Sequence, residues 1–378
     1  MKKHNKKRVF IQYPWKTIDS PYYKYLVTNP PENIEYINST NQKGVITNTR
    51  KFLFSNNLKK IARKTIKGLN LPLVNAHYTK TKQEYDIIHN AHCLSLNKDK
   101  PWICDFESRY QMWISGEGTK KEIEKALKIL MRKNCKKILA WTNSTKEKLI
   151  ETFPEIKDKI EVVYPAIPLN KQSQKNKNKI TILYATRYFW LKGGLIALEV
   201  YKRLKEKYGE LELIFISDVP NEVKLRYQEI KIQDLVSNKE LFKLYEKSDI
   251  FFYPSLMDSF GFGLLEAMSF GIPIVTVNTK HTATRKEIVE NDVNGLIFDV
   301  NDEMCDKLIN QKEKVVIQAE EEKIINQLVE NCSKLIENKK IREKMSKNCI
   351  KIIKDGKFSI KERNKKLKRI YEEAVNEN

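Results

Sequence analysis

Residues 249–277, DIFFYPSLMDSFGFGLLEAMSFGIPIVTV, constrain this chain more than any other stretch. Ile250, Phe251, Phe252 and Tyr253 form an apolar run of β formers that Pro254 stops, as expected of a short buried strand. Gly261 and Gly263 bracket a helix entry that continues through Leu264, Leu265, Glu266, Ala267 and Met268. Gly271 stands where a helix C-terminal glycine belongs, and Pro273 opens a second strand over 274–277. Strand, helix and strand in so short a span predict a parallel sheet with the helix N-terminus at its carboxyl edge. Open α/β sheets bind ligands at that edge, where unsatisfied N–H groups suit a phosphate. Two carboxylates flank this nest: Asp258 just before it and Glu266 one turn into the helix.

The rest of the chain alternates in the same way, twice. In the first half, strands are expected at 8–12, 33–37, 44–47, 85–89, 102–106, 137–142 and 160–164, and residues 14–26 read as a polar loop. An amphipathic basic helix is expected over 58–67. A longer one over 121–136 carries Ile123, Leu127, Leu130 and Met131 as its inner stripe. Ser144, with Glu147 at the capping-box position, predicts the start of another. Residues 169–179 have no apolar side chain after Leu169 and read as a linker. Beyond it, strands at 180–185 and 211–217 alternate with helices at 195–208 and 239–247. A helix near 285–290, a turn at Gly295, a charged helical stretch over 303–354 and a final amphipathic helix over 360–375 complete the pattern. Two such alternations predict an α/β chain of two doubly wound, Rossmann-like domains facing a cleft.

Length agrees with that division, since 378 residues suit two cores of about 150–200 residues each. No apolar run approaches the roughly 20 residues that span a bilayer, and the basic N-terminus lacks a signal-peptide core. The six cysteines are scattered without a C-x-x-C pair, so neither a zinc site nor a disulfide framework is expected, and the chain reads as cytoplasmic. Of the net charge of +22, residues 1–168 carry most, with 32 Lys and Arg against 16 Asp and Glu. Such a half can face nucleic acid, an anionic membrane surface or a phosphorylated substrate, or can simply reflect a Lys- and Asn-rich genome. No nucleic-acid recognition motif accompanies it.

Four motifs in order resemble the retaining nucleotide-sugar glycosyltransferases of the GT-B fold, family 4 (group 1). Asp258-Ser259-Phe260-Gly261-Phe262-Gly263-Leu264-Leu265-Glu266 is similar to the family's E-G-F-G-x-x-x-x-E run, with Pro254-Ser255 before it and Ala267-Met268-Ser269-Phe270-Gly271-Ile272-Pro273 after. Arg187 and Lys192-Gly193 resemble its R-x4-K-G clamp. Glu287-Ile288-Val289 and Asn294-Gly295-Leu296 resemble its E-I-V and N-G-L segments. In the first half, Asp86-Ile87-Ile88-His89 is like the family's D-x-x-H strand end. The closing segment, with Phe358-Ser359-Ile360 and Tyr371-Glu372-Glu373-Ala374, resembles the part that crosses back to the first domain. Two departures stand out. A glycine-rich loop after the first strand is missing, and the first glutamate of the E-x7-E pair is Asp258, one methylene shorter.

The resemblance implies an acceptor-binding domain over 1–168, a linker over 169–179, a nucleotide-sugar-binding domain over 180–355 and a crossover helix over 356–378. It implies transfer of a sugar from a nucleoside-diphosphate sugar to an acceptor hydroxyl with retention, with no cofactor required. Arg187 and Lys192, five residues apart after a strand, can together reach one diphosphate; a solvated pair on a loop is the alternative. Glu266 is implied to hold the donor ribose, and Asp258 the donor sugar, unless Asp258 merely caps the helix. Backbone groups of Phe260, Gly261, Phe262, Gly263 and Leu264 would line the donor. Neither Arg187 nor Lys192 has an acid partner nearby in sequence, which leaves a phosphate as the natural counter-ion.

On the acceptor side, Asp105 and Glu107 end a strand where the family often places a histidine or carboxylate, and a structural salt link is the competing role. His89 and His92 end the preceding strand, where a satisfied core histidine is the commoner fate. Asp19, Ser20, Tyr22 and Tyr23 follow the first strand. No D-x-D metal motif fits this arrangement, so no metal is expected. The implied partners are the nucleotide-sugar donor, an acceptor glycan, lipid or small molecule, and an anionic membrane surface, with no specific nucleic acid. A basic nucleic-acid-binding protein and a non-catalytic nucleotide-sugar scaffold are the competing functions.

Overall fold

The computed structural model describes residues 6–14, 21–39, 61, 64–66, 68–69, 71–116, 118–170, 179–310 and 319–376. The expected strand at 44–47, most of the helix over 58–67, most of the linker, and the candidates Asp19 and Ser20 lie outside the described residues. Two compact units emerge. One takes the described residues up to Ala166 and those from Lys357 onward, and the other takes Ile167–Gly356.

In the first unit, β1 (Lys7–Gln12), β2 (Ile34–Ile37), β4 (Ile87–Ala91), β6 (Trp102–Phe106), β7 (Cys135–Ala140) and β8 (Ile160–Val162) form one parallel sheet in the order β2-β1-β4-β6-β7-β8. Short strands β3 (Ala76–His77) and β5 (Leu94–Ser95) pair separately. Every residue of β4 and β6 is buried, as a parallel strand covered on both faces must be.

Three local expectations change here. Residues 21–28 are not loop but helix α1 (Pro21–Thr28), with Pro21 in its first turn and Tyr22, Tyr23, Tyr25 and Leu26 buried. Helix α2 (Lys120–Leu130) ends before Met131, which is 57% exposed instead of inward-facing. Lys159 Nζ donates to the carbonyls of Leu130 (2.9 Å) and Arg132 (3.0 Å), satisfying acceptors left open where the helix ends. Helix α3 (Asn143–Thr152) is capped by Thr142, not Ser144. Thr142 has extended backbone and its side chain accepts the Thr145 N–H, while Ser144 already lies within the first turn.

The C-terminal helix, Ile360–Asn376, belongs to this first unit and lies against β4 and β7. Leu367, Ile370, Tyr371 and Ala374 recur at helical spacing and are all buried. Arg363 on the same helix is buried too, and its Nη2 donates to the Asn29 carbonyl at 2.7 Å.

The second unit repeats the architecture. Strands β9 (Ile180–Ala185), β10 (Leu211–Ile216), β11 (Ile232–Gln233), β12 (Ile250–Tyr253), β13 (Ile274–Asn278) and β14 (Gly295–Asp299) form a parallel sheet in the order β11-β10-β9-β12-β13-β14. Helices α4 (Gly194–Tyr208), α5 (Asn221–Arg226), α6 (Asn238–Lys247), α7 (Phe262–Ser269) and α8 (Arg285–Ile288) connect the strands. Helices α9 (Asp302–Asn310), α10 (Ala319–Glu337) and α11 (Lys339–Lys354) follow. Helix α10 packs on α4 and α11 on α7. The chain leaves β9 for one side of this sheet and returns to fill the other from β12. The sheet therefore reverses direction between β9 and β12, and the loops leaving those two strands flank the place where open α/β sheets bind ligands.

Candidate functional site

The loop after β9 carries Arg187 and Lys192, and the loop after β12 carries Asp258, so all three stand at that reversal. Gly193 closes the first loop with φ +68°, and a Cβ built on it would lie 2.2 Å from the Pro254 carbonyl oxygen. Only glycine lets the two loops come this close. Lys192 Nζ then reaches Asp258 Oδ1 at 3.0 Å and the Met257 carbonyl at 2.8 Å. Lys192 thus has an acid partner that its sequence neighbourhood does not show, because the partner arrives from the adjacent strand.

The other carboxylate oxygen has different company. Tyr253 Oη donates to Asp258 Oδ2 at 2.7 Å, and Arg285 Nη2 lies 3.6 Å from the same oxygen. Arg285 is fully buried, with its guanidinium 4.9 Å over the Tyr253 ring and its Nη1 donating to Thr276 Oγ1 at 3.0 Å. The side chains of Lys192 and Asp258 are 14% and 11% exposed. Burial acts to raise the Asp258 pKa, but the charges of Lys192 and Arg285 and the hydrogen bonds from Tyr253 and Lys192 outweigh it and hold Asp258 below the ordinary carboxylate value. Burial pushes the Tyr253 phenol well up and the Arg285 guanidinium down.

Asp258 does not cap α7. Gly261 is the N-cap, at φ +93°, with no side-chain hydrogen bond to the first turn, and a Cβ there would meet Asp258 Oδ2 at 3.1 Å. Gly263 follows inside the first turn, and the Leu264 N–H is taken by the Gly261 carbonyl at 3.0 Å. Phe260 is buried, its ring 5.7 Å from that of Phe262. Glu266 is half-buried one turn on, where Tyr245 Oη donates to its Oε2 at 3.5 Å. Arg187 is half-buried at the start of its loop.

A second polar cluster forms in the first unit, where β1 and β4 are neighbours across a similar reversal. Asp105, buried at the end of β6, accepts at Oδ2 from His89 Nε2 (3.0 Å) and at Oδ1 from Tyr23 Oη and from the His92 N–H (3.3 Å). His89 Nδ1 meets Tyr371 Oη of the C-terminal helix at 2.7 Å, and Tyr371 meets Tyr36 Oη at 3.1 Å. Burial raises the Asp105 pKa, but the hydrogen bond and charge of His89 bring it below the ordinary value. His92, just past β4, has φ +54°, an uncommon backbone state for a non-glycine residue. Its Nδ1 is buried, 3.4 Å from Asp105 Oδ1 without hydrogen-bond alignment, and burial lowers its pKa.

Structure thus brings Asp105, His89, Tyr22 and Tyr23 together, the last two with rings 4.9 Å apart. Asp105 and His89 are saturated by one another and by tyrosines. Within this cluster, His92 retains 12% side-chain exposure. Glu107 sits two residues beyond Asp105, its N–H bound to Gln111 Oε1 (2.9 Å) and its carbonyl to Thr145 Oγ1 (2.8 Å). Sequence reading missed Tyr253, Arg285 and Tyr371. Tyr253 and Tyr371 look like core aromatics, and Arg285 lies in a polar run, TKHTATRKE, with nothing to mark it as buried. Among the described residues no group of three or more His, Cys, Asp or Glu side chains could hold a metal ion.

Residues 167–320 match the family described as glycosyl transferases group 1. An uncharacterized 41.2 kDa protein in the cps region of Klebsiella pneumoniae is 26% identical over 273 residues, 68% of this chain and 68% of that protein. The Escherichia coli UDP-Gal:alpha-D-GlcNAc-diphosphoundecaprenol alpha-1,3-galactosyltransferase is 22% identical over 296 residues, 70% of this chain and 74% of its own. A glycosyltransferase from Rickettsia africae ESF-5 superposes with a TM-score of 0.61 at 16% identity, covering 98% of this chain and 99% of that one. The fold is therefore that of the GT-B glycosyltransferases, with two Rossmann-like domains. The family match and these relatives support glycosyltransferase activity with a nucleotide-sugar donor.

Proposed function

We propose that this chain transfers a sugar from a nucleoside-diphosphate sugar to an acceptor hydroxyl, with retention at the anomeric carbon. The second unit binds the donor and the first binds the acceptor. One observation carries the donor site: Lys192, Arg285 and Asp258 place two cations and one carboxylate, mostly out of water, at the sheet reversal. A buried excess positive charge is costly unless an anion completes it, and a diphosphate does so. Lys192 exchanges its bond to Asp258 for one to the diphosphate, joined by Arg187 and the N-terminus of α7. As the sugar–oxygen bond breaks, these groups stabilise the charge growing on the leaving diphosphate, a role for which a fixed donor typically contributes ~2.7–4 kcal/mol. No metal is needed for that charge balance. Glu266 accepts the ribose hydroxyls, and Asp258 accepts from the donor sugar beside the backbone of Phe260, Gly261, Phe262 and Gly263.

The Escherichia coli relative's name specifies a UDP-sugar and a lipid-linked acceptor. On that likeness we assign a UDP-sugar as donor class and a lipid-linked glycan as acceptor class, met at an anionic membrane surface. The +16 excess of residues 1–168 favours such a surface, and among the described residues no helix is long and apolar enough to cross it. His92, with Asp105 behind it, is the group we place nearest the acceptor hydroxyl. The test is thermal unfolding with UDP, GDP, ADP and their sugars. A nucleoside diphosphate must raise the melting temperature, and a nucleotide sugar must be consumed with an α-linked donor giving an α-linked product. No stabilisation by any of them overturns the reading.

A further inference from the structure

We propose that Arg285 is a positioning residue that holds Asp258 in place through the catalytic cycle while Lys192 changes partner. This rests on the donor site assigned above and extends it to a residue outside the motifs that carry the family resemblance. The argument is one of mobility and charge. Lys192 sits on a loop at the edge of water, on a flexible stem, and can swing from Asp258 Oδ1 to an incoming diphosphate. Arg285 has no such freedom. It is fully buried, its Nη1 is bound to Thr276 Oγ1, and its plane lies over Tyr253. Thr276 Oγ1 in turn donates to the Tyr253 carbonyl at 2.6 Å, tying β13 to the end of β12.

Among the described residues Arg285 Nη2 and Nε have no hydrogen-bond partner, although Nη2 faces Asp258 Oδ2 at 3.6 Å. A buried guanidinium with two unspent donors is destabilising by itself, so its retention beside a carboxylate calls for a role. The charged and titratable groups facing Asp258 are Lys192 from the β9 loop, Tyr253 from β12 and Arg285 from α8. When Lys192 turns to phosphate, Tyr253 and Arg285 are the two that remain on Oδ2. They keep the carboxylate ionised and leave Oδ1 pointing toward the donor. Aspartate has one fewer rotatable bond than glutamate, so anchoring one oxygen sets the direction of the other.

The experiment compares wild type, Arg285→Met and Arg285→Lys, with donor turnover followed as nucleoside diphosphate released from whichever of UDP-glucose, UDP-galactose, GDP-mannose and ADP-glucose the wild type consumes. In Arg285→Met we expect kcat to fall about tenfold or more with a smaller change in donor KM, because the interaction matters after binding. The acid limb of the kcat profile moves to higher pH, since Asp258 loses one of the charges that keep it ionised. A packing defect alone would lower the profile without moving that limb. Arg285→Lys keeps the charge but loses the fork, so its limb stays while kcat falls severalfold. Wild-type kcat and an unmoved limb in Arg285→Met overturn the proposal, as does wild-type kcat in Arg285→Lys if the methionine variant does not fold. If the wild type consumes no nucleotide sugar, it is the donor-site reading that fails. Acid unfolding still reads the Arg285 contact, because without Arg285 the stability from ionised Asp258 is lost at a higher pH, and an unchanged acid midpoint rejects it.

Discussion

Lys192 Nζ and Asp258 Oδ1 stand 3.0 Å apart, joining the loops that leave β9 and β12. The two side chains neutralise one another, so removing either changes the charge at the sheet edge. Lys192→Ala is expected to weaken nucleoside-diphosphate binding by on the order of a hundredfold, the loss typical of deleting a charged partner from a mostly buried pair. Isothermal titration with the stabilising nucleotide measures it, and affinity within threefold of wild type would remove Lys192 from the site.

Glu266 tests the nucleotide half of the site without touching that ion pair. Glu266→Gln keeps shape and length but turns one acceptor into a donor that faces a ribose hydroxyl badly. We expect about a tenfold loss of nucleotide affinity, near 1.4 kcal/mol, with the melting temperature of the free chain almost unmoved. The same loss for a nucleotide lacking the ribose hydroxyls would argue against the assigned contact.

Gly193→Ala should be far more damaging than its size suggests. The new methyl group would meet the Pro254 carbonyl from a backbone already in the left-handed region. The two loops must part, at a cost of roughly 1–3 kcal/mol in strain, and the Lys192–Asp258 contact parts with them. Loss of both thermal stability and nucleotide response is the expected outcome; a stable variant that still binds nucleotide refutes the close approach.

The Asp105 cluster predicts a pH response of the first unit. His92 has a folded pKa below its unfolded one, so neutral His92 contributes stability that is present above about pH 6.5 and declines as pH falls toward the folded value. Asp105 is also lowered, so its contribution is present above about pH 3.9 and is lost only as pH falls through its still lower folded value. Urea midpoints should therefore begin to fall near pH 6.5, and His92→Asn should make that first decline shallower, the remainder coming from His77, whose partial burial also lowers its pKa. Asp105→Asn should cost about 3 kcal/mol at neutral pH, because it presents a donor where Tyr23 and His89 already donate. A decline in His92→Asn as steep as in the wild type would assign the response elsewhere.

The strands and the helix entry around Asp258 were legible because their signals are local: an apolar run, a proline stop, glycines at left-handed positions. Lys192's partner was not, since the two residues meet only when β9 and β12 pair. Arg285 was invisible for the same reason. A basic residue among threonines and lysines reads as solvated until β13 brings it under Tyr253. Helix α1 was hidden by the polar residues before it, although Tyr22, Tyr23, Tyr25 and Leu26 had the spacing of an apolar helix face. Tyr371 could not be foreseen as a partner of His89, because nothing local ties a late helix to an early strand.

That late helix sets an order on how the protein can be made. Strands β1 to β8 leave the ribosome before Ile167–Gly356 is made, yet the helix whose Tyr371 bonds His89 of β4, and whose Leu367 and Ile370 are buried, is synthesised only after it. Throughout translation of Ile167–Gly356 the first unit must wait with an uncovered apolar strip and a buried-type aspartate network open to water. A fragment ending at Ala166 should therefore be aggregation-prone when expressed alone. Supplying residues 357–378 through a short artificial linker should rescue it.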